Sequence, residues 1–157
     1  MKVLMLTLLL MAGSFYRAEE PTLSTVRTLL KKAADDKASC KQLISLLQPY
    51  TAQNNPLMYG YYGVATMAQA KHAFNPVTKL SHFKKGKGML NDAIAQDGNN
   101  TELRMLRYAA QKQAPSFLNY KEHLREDEAF LTAALPNITD SYLKTEVSGF
   151  LQNTKSQ

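Results

Sequence analysis

The sequence predicts an all-α protein, built as antiparallel helical hairpins stacked in an array or irregular bundle of about seven helices. Three observations predict it. Apolar residues recur at helical spacing in nearly every segment, and period-two alternation is rare. The breaks between segments are short and carry helix-start or helix-stop signals, such as Asn54-Asn55-Pro56 and Gly98-Asn99-Asn100. The chain has 157 residues, 45% hydrophobic and 20% charged, which suits one globular domain and excludes a disordered tail.

The first helix is expected over residues 23–35, with an apolar stripe of Leu23, Val26, Leu29, Leu30 and Ala33. The second covers 39–48, carries Leu43, Ile44, Leu46 and Leu47, and stops at Pro49. Asn55 then caps a third helix over 56–74, with proline at its first position. Asn75-Pro76 repeats that signal and either opens the fourth helix or marks the turn before it. The fourth carries Leu80, Phe83, Leu90 and Ile94 and ends at Asp97. Asn100 or Thr101 caps the fifth, over 102–113, and Pro115 breaks the chain again. A sixth helix is expected over 116–134, with room for a bend in its charged middle. After Leu135-Pro136-Asn137, a seventh covers 140–152, with Tyr142, Leu143, Val147, Phe150 and Leu151 inward. Short connections between helices make sequential neighbours antiparallel.

The N-terminus reads as a signal peptide. Lys2 precedes an apolar run, Val3 to Ala12, too short for the roughly 20 residues that span a bilayer. Small residues at Ala12 and Ser14 place cleavage after residue 14, with residue 18 as the alternative. The expected organisation is a leader over 1–14 and one α-helical domain over 19–157. The mature protein is therefore expected in the periplasm or the medium, without a membrane span. Cys40 is the single cysteine and has no internal disulfide partner. It reads as a small buried apolar side chain.

The stretch Leu90 to Asn100 resembles the close of a tetratricopeptide repeat. Ala93, Ile94 and Asp97 match its small, aliphatic and acidic positions, Gly98 stands where proline is usual, and Gly86 fits the small mid-helix position. A strict 34-residue period, general for such repeats, does not persist. The wider stretch from Asn55 to Asp127 also resembles small exported tetratricopeptide-like proteins of Bacteroidetes-type bacteria. Tyr61-Tyr62-Gly63, Asn75-Pro76 with Lys79-Leu80, Glu102 to Arg107 and Pro115 to Leu118 carry that likeness. It implies a fold and a compartment, but no activity.

The most basic stretch, Lys79 to Gly88, suits an anionic partner. Lys84 and Lys87 are helical neighbours there. Its glycines do not form a phosphate loop, because no strand precedes them and no Lys-Ser/Thr ends the run. Export argues against nucleic acid. Tyr59, Tyr61 and Tyr62, with Met58 and Met67, spread over more than half of one helix. Some must pack inward, and Tyr59 and Tyr62 remain candidates for partner contact. Gly60 and Gly63 permit a close neighbouring helix. Arg104 and Arg107 fall among apolar residues and need a carboxylate. Asp92, Asp97 and Asp127 are available, and antiparallel packing selects Asp127.

His123 and Asp127, four residues apart, could share a metal, but two ligands make a weak site. No metal or other cofactor is expected. No nucleophile elbow, Ser-His-Asp spacing or paired catalytic carboxylates stand out. The expected function is a binding or scaffold module for a protein or peptide with acidic chemistry. Tyr59, Tyr62, Lys79, Lys84 and Lys87 are the candidate contacts. The alternatives are a small-ligand or lipid carrier with a Met- and Tyr-lined pocket, and a metal-dependent hydrolase built on His123.

Overall fold

A computed structural model describes residues 20–152. The expected leader and the last five residues lie outside them. The described chain forms α1 (Leu23–Ala33), α2 (Lys37–Leu47), α3 (Pro56–His72), α4 (Pro76–Gln96), α5 (Thr101–Gln113), α6 (Leu124–Ala134) and α7 (Ser141–Gln152). Two short 3-10 turns, Ser116–Leu118 and Leu135–Asn137, precede α6 and α7. No strand occurs among the described residues. Over the described residues the protein is all-α, with seven α-helices.

Side-chain caps start six of the seven helices, satisfying backbone N–H groups that have no partner within the helix. Thr22 accepts from Thr25, Asp36 from Ala38 and Ser39, and Asn55 from Met58. Asn75 accepts from Val77, Asn100 from Glu102 and Leu103, and Asp140 from Leu143. Asp36 explains two shifted boundaries. Its carboxylate caps a second helix that starts at Lys37, so the first ends at Ala33 instead of residue 35.

The sixth helix is shorter than expected. Asn119 adopts a left-handed backbone (φ 46°), which asparagine tolerates better than most residues. The chain then turns Tyr120 inward until only 1% of it is exposed. No continuous helix can run through that reversal, so α6 begins at Leu124. Its first N–H groups lack a local side-chain cap. Instead the His123 N–H donates to the Gln111 side-chain oxygen of α5, at 2.9 Å.

α3 is the central element and touches α1, α2, α4 and α5. It is apolar nearly all round, as a core helix must be. Its closest partner is α4, and glycine makes that approach possible. A Cβ at Gly86 would clash with the Gly63 carbonyl oxygen and sit 2.7 Å from the Met67 backbone nitrogen. A Cβ at Gly63 would sit 2.7 Å from the Gly86 carbonyl oxygen. Across the core Val26, Leu43, Leu47, Leu90, Leu103, Leu131 and Val147 are fully buried.

Candidate functional site

Two ionic knots tie the helices together and engage four carboxylates, Glu102, Glu126, Asp127 and Asp140. Arg107 on α5 donates through Nε to Asp127 Oδ2 at 2.7 Å and through a terminal nitrogen to Oδ1 at 2.8 Å. Arg104 reaches the same carboxylate at 3.1 Å and Glu126 at 2.6 Å. Arg104, Arg107 and Asp127 therefore meet in one cluster, with Asp127 fully buried. Burial alone would lower the Arg107 pKa, but the Asp127 hydrogen bonds raise it above the ordinary arginine value. Hydrogen bonds from Arg104 and then His123 hold the Glu126 carboxyl below its usual range.

The second knot has no counterpart among the sequence-based expectations. Arg27 on α1 grips Glu102 on α5 with two bonds of 2.7 Å and Asp140 with one of 3.0 Å. The buried Tyr61 hydroxyl of α3 donates to the same Glu102 carboxylate. Desolvation, then the Glu102 charge, pushes the Tyr61 pKa far above that of a free phenol. The partners are 75 residues apart. The available signal was local: Arg27 sits one turn from both Leu23 and Leu30, on the apolar stripe of α1.

The His123–Asp127 pair considered for a metal is engaged within the first knot. Asp127 faces arginines, and the His123 Nδ1 lies 3.0 Å from Glu126. Among the described residues no three His, Cys, Asp or Glu side chains converge on a metal-sized site. The larger described cleft, about 390 Å³, lies between α5 and α7 and includes Thr101, Asn137 and Asp140. It contains none of the Met and Tyr residues expected to line a carrier pocket.

The candidate contact residues fall on separate faces. Tyr59 and Tyr62 are half-buried on α3, with rings edge to face at 6.4 Å. Burial, and then the Asp92 charge, raises the Tyr59 pKa. That places Tyr59 on the Asp92 side of α4, which lies about 140° around the helix from Lys87. Lys87 is already engaged: its Nζ lies 2.5 Å from Glu122 and 4.8 Å from the Tyr120 ring centre. Lys79 and Lys84 are exposed, and neither makes an ion pair among the described residues.

Three of the four large apolar side chains that are exposed among the described residues lie near these two lysines in sequence; the fourth, Phe117, is in the 3-10 turn before α6. Phe74 is 96% exposed, Val77 76% and Leu80 40%. All eight residues from Phe74 to Ser81 are exposed, although six of them are helical. The α3–α4 turn and the start of α4 thus form an uncovered tip with an apolar centre and a cationic rim. A sequence signal marks this region. No Asp or Glu occurs between Asp36 and Asp92, a stretch that holds seven lysines. The acidic residues that neutralise the rest of the bundle lie outside it.

Cys40 is buried, and its thiol donates to the Ala65 carbonyl oxygen at 3.7 Å. Desolvation raises its pKa. No protein-family model, curated protein or solved structure matches this chain.

Proposed function

We propose that the protein is an exported, tetratricopeptide-like binding module that captures an acidic protein surface with the tip of its α3–α4 hairpin. The supporting observation is the solvent exposure of Phe74, Val77 and Leu80 on a helix that also presents Lys79 and Lys84. A core-forming helix would turn such side chains inward. Burying one Phe or Val side chain against a partner contributes about 1.5–3 kcal/mol. An apolar centre with a charged rim is the usual anatomy of a protein contact. The cationic rim complements a carboxylate-rich partner and speeds encounter more than it tightens binding. Gly86, one of the positions behind the tetratricopeptide resemblance, also permits the tight hairpin that displays the tip. The larger contact set of Tyr59, Tyr62 and Lys87 contributes less to this reading, because Tyr59 and Tyr62 are half-buried elsewhere and Lys87 is paired.

In-cell chemical cross-linking and mass spectrometry test the proposal. The expected result is one recurrent protein joined through Lys79 or Lys84, with its acidic surface at the junction. Lys79→Glu with Lys84→Glu should abolish the adduct while leaving the melting temperature unchanged. An unchanged adduct refutes the role of this face. Sedimentation of the full chain with phosphatidylglycerol vesicles, with no protein adduct, replaces the protein partner with a lipid surface.

A further inference from the structure

We infer that the cleft between α2, α3 and the first turns of α4 is a binding site for a small molecule bearing a phosphate or sulfate group. The cleft encloses about 230 Å³ and lies beside the tip, sharing Thr78 with it but none of Phe74, Val77, Lys79, Leu80 and Lys84. Lys37 and Lys41 enter from α2, His72 from α3 and His82 from α4. Gln69 and Thr78 add an amide and a hydroxyl between them. No carboxylate lines the cleft.

The two lysines lack a paired counter-charge among the described residues. Lys37 and Lys41 are one helical turn apart on the same face, where like charges repel. Neither forms an ion pair among the described residues. Asp36, next to Lys37 in sequence, is outside the lining: it caps α2 through two backbone N–H groups and the Ser39 hydroxyl, and its charge also faces His72. The site is also held in shape. The His72 Nε2 donates to the Ala33 carbonyl oxygen at 2.7 Å, fixing the ring where α1 ends. The buried Cys40 closes the floor, tied to α3 through Ala65. An oxyanion placed here would collect several donors from three helices and relieve the Lys37–Lys41 repulsion. Sites for drug-sized ligands run about 300–1,000 Å³. This smaller cleft fits inorganic phosphate, sulfate or a phosphomonoester of a few carbons.

Nitrogen–proton correlation spectra of the full chain test the assignment, with inorganic phosphate, sulfate and glycerol phosphate as probes. Sodium chloride at equal ionic strength is the control. Saturable shifts at Lys37, Lys41, Gln69 and Thr78 are expected with the oxyanions and not with chloride. Tighter binding of glycerol phosphate than of inorganic phosphate assigns the site to an ester; the reverse order assigns it to the free oxyanion. Lys37→Ala with Lys41→Ala should weaken binding at least about tenfold. Both side chains are exposed, so the fold is retained. Lys37→Arg with Lys41→Arg should restore binding. Equal shifts with chloride, or an unaffected double alanine variant, overturn the site. Lys79→Glu with Lys84→Glu should leave it intact, which separates this result from the fate of the tip.

Discussion

Gly86→Ala and Gly88→Ala, two residues apart on α4, should change stability in opposite directions. At Gly86 the added methyl meets the Gly63 carbonyl oxygen and the Met67 backbone nitrogen, the latter at 2.7 Å. Backbone atoms cannot swing aside as a side-chain end can, so α3 and α4 must separate. Overpacking a core costs about 1–3 kcal/mol, and a backbone obstacle places this site near about 3. Alanine returns about 1 kcal/mol of helix propensity over glycine. The expected net loss is about 2 kcal/mol. At Gly88 a Cβ meets nothing within 4 Å, so only the propensity gain remains, about 0.5–1 kcal/mol. For a domain of this size about 4 °C accompanies each kcal/mol. Gly86→Ala should therefore melt about 8 °C lower and Gly88→Ala about 2–4 °C higher. Urea titrations followed by far-ultraviolet circular dichroism would measure both, with unchanged slopes. A Gly86→Ala protein as stable as the parent would refute the close helix crossing.

Asp127→Asn should cost about 3–5 kcal/mol in the same assay, because it strands Arg107 without its buried counter-charge; a loss below about 1 kcal/mol would contradict the knot. Glu126→Gln, at a 54% exposed side chain, should cost less than about 1 kcal/mol. Acid should destabilise the fold. Asp36, held low by the Ser39 hydroxyl, together with Glu126 and Asp140, has a carboxyl pKa below the ordinary value. The stability these groups contribute is present above about pH 4 and lost as pH falls through their lower folded values. Melting temperatures that stay flat from pH 6 to about pH 2 would contradict this. Cys40, buried and with a raised pKa, should react with an aromatic disulfide reagent far more slowly in the native protein than in urea. Equal rates would place it at the surface.

Local chemistry made most of the helix plan legible. Asn55-Pro56, Asn75-Pro76 and Asn100 act through their own neighbours, so their spacing locates the start of α3 and narrows those of α4 and α5 to two readings each. The start of α6 was not legible in that way. Residues 116–123 carry a helical pattern, but the left-handed Asn119 and the inward Tyr120 answer to tertiary packing against Phe83 and Lys87. The ionic knots divide similarly. Arg107 and Asp127 lie on adjacent antiparallel helices, so short connections bring them within reach. Arg27 and Glu102 depend on how α1 and α5 both pack against α3, which no local spacing encodes. The tip was partly legible. Lys79 and Lys84 stand out as charges, but Phe74, Val77 and Leu80 look like ordinary core residues until their exposure is seen. The carboxylate-free stretch between Asp36 and Asp92 was the readable clue.

The most direct test of the binding role is a photo-reactive phenylalanine analogue placed at position 74 in living cells, with one at Lys144 on α7 as the comparison. The account predicts a single reproducible protein adduct at position 74, none at 144, and loss of the adduct when Lys79 and Lys84 become glutamate. Equal labelling at both positions, or an adduct indifferent to the two lysines, would contradict it.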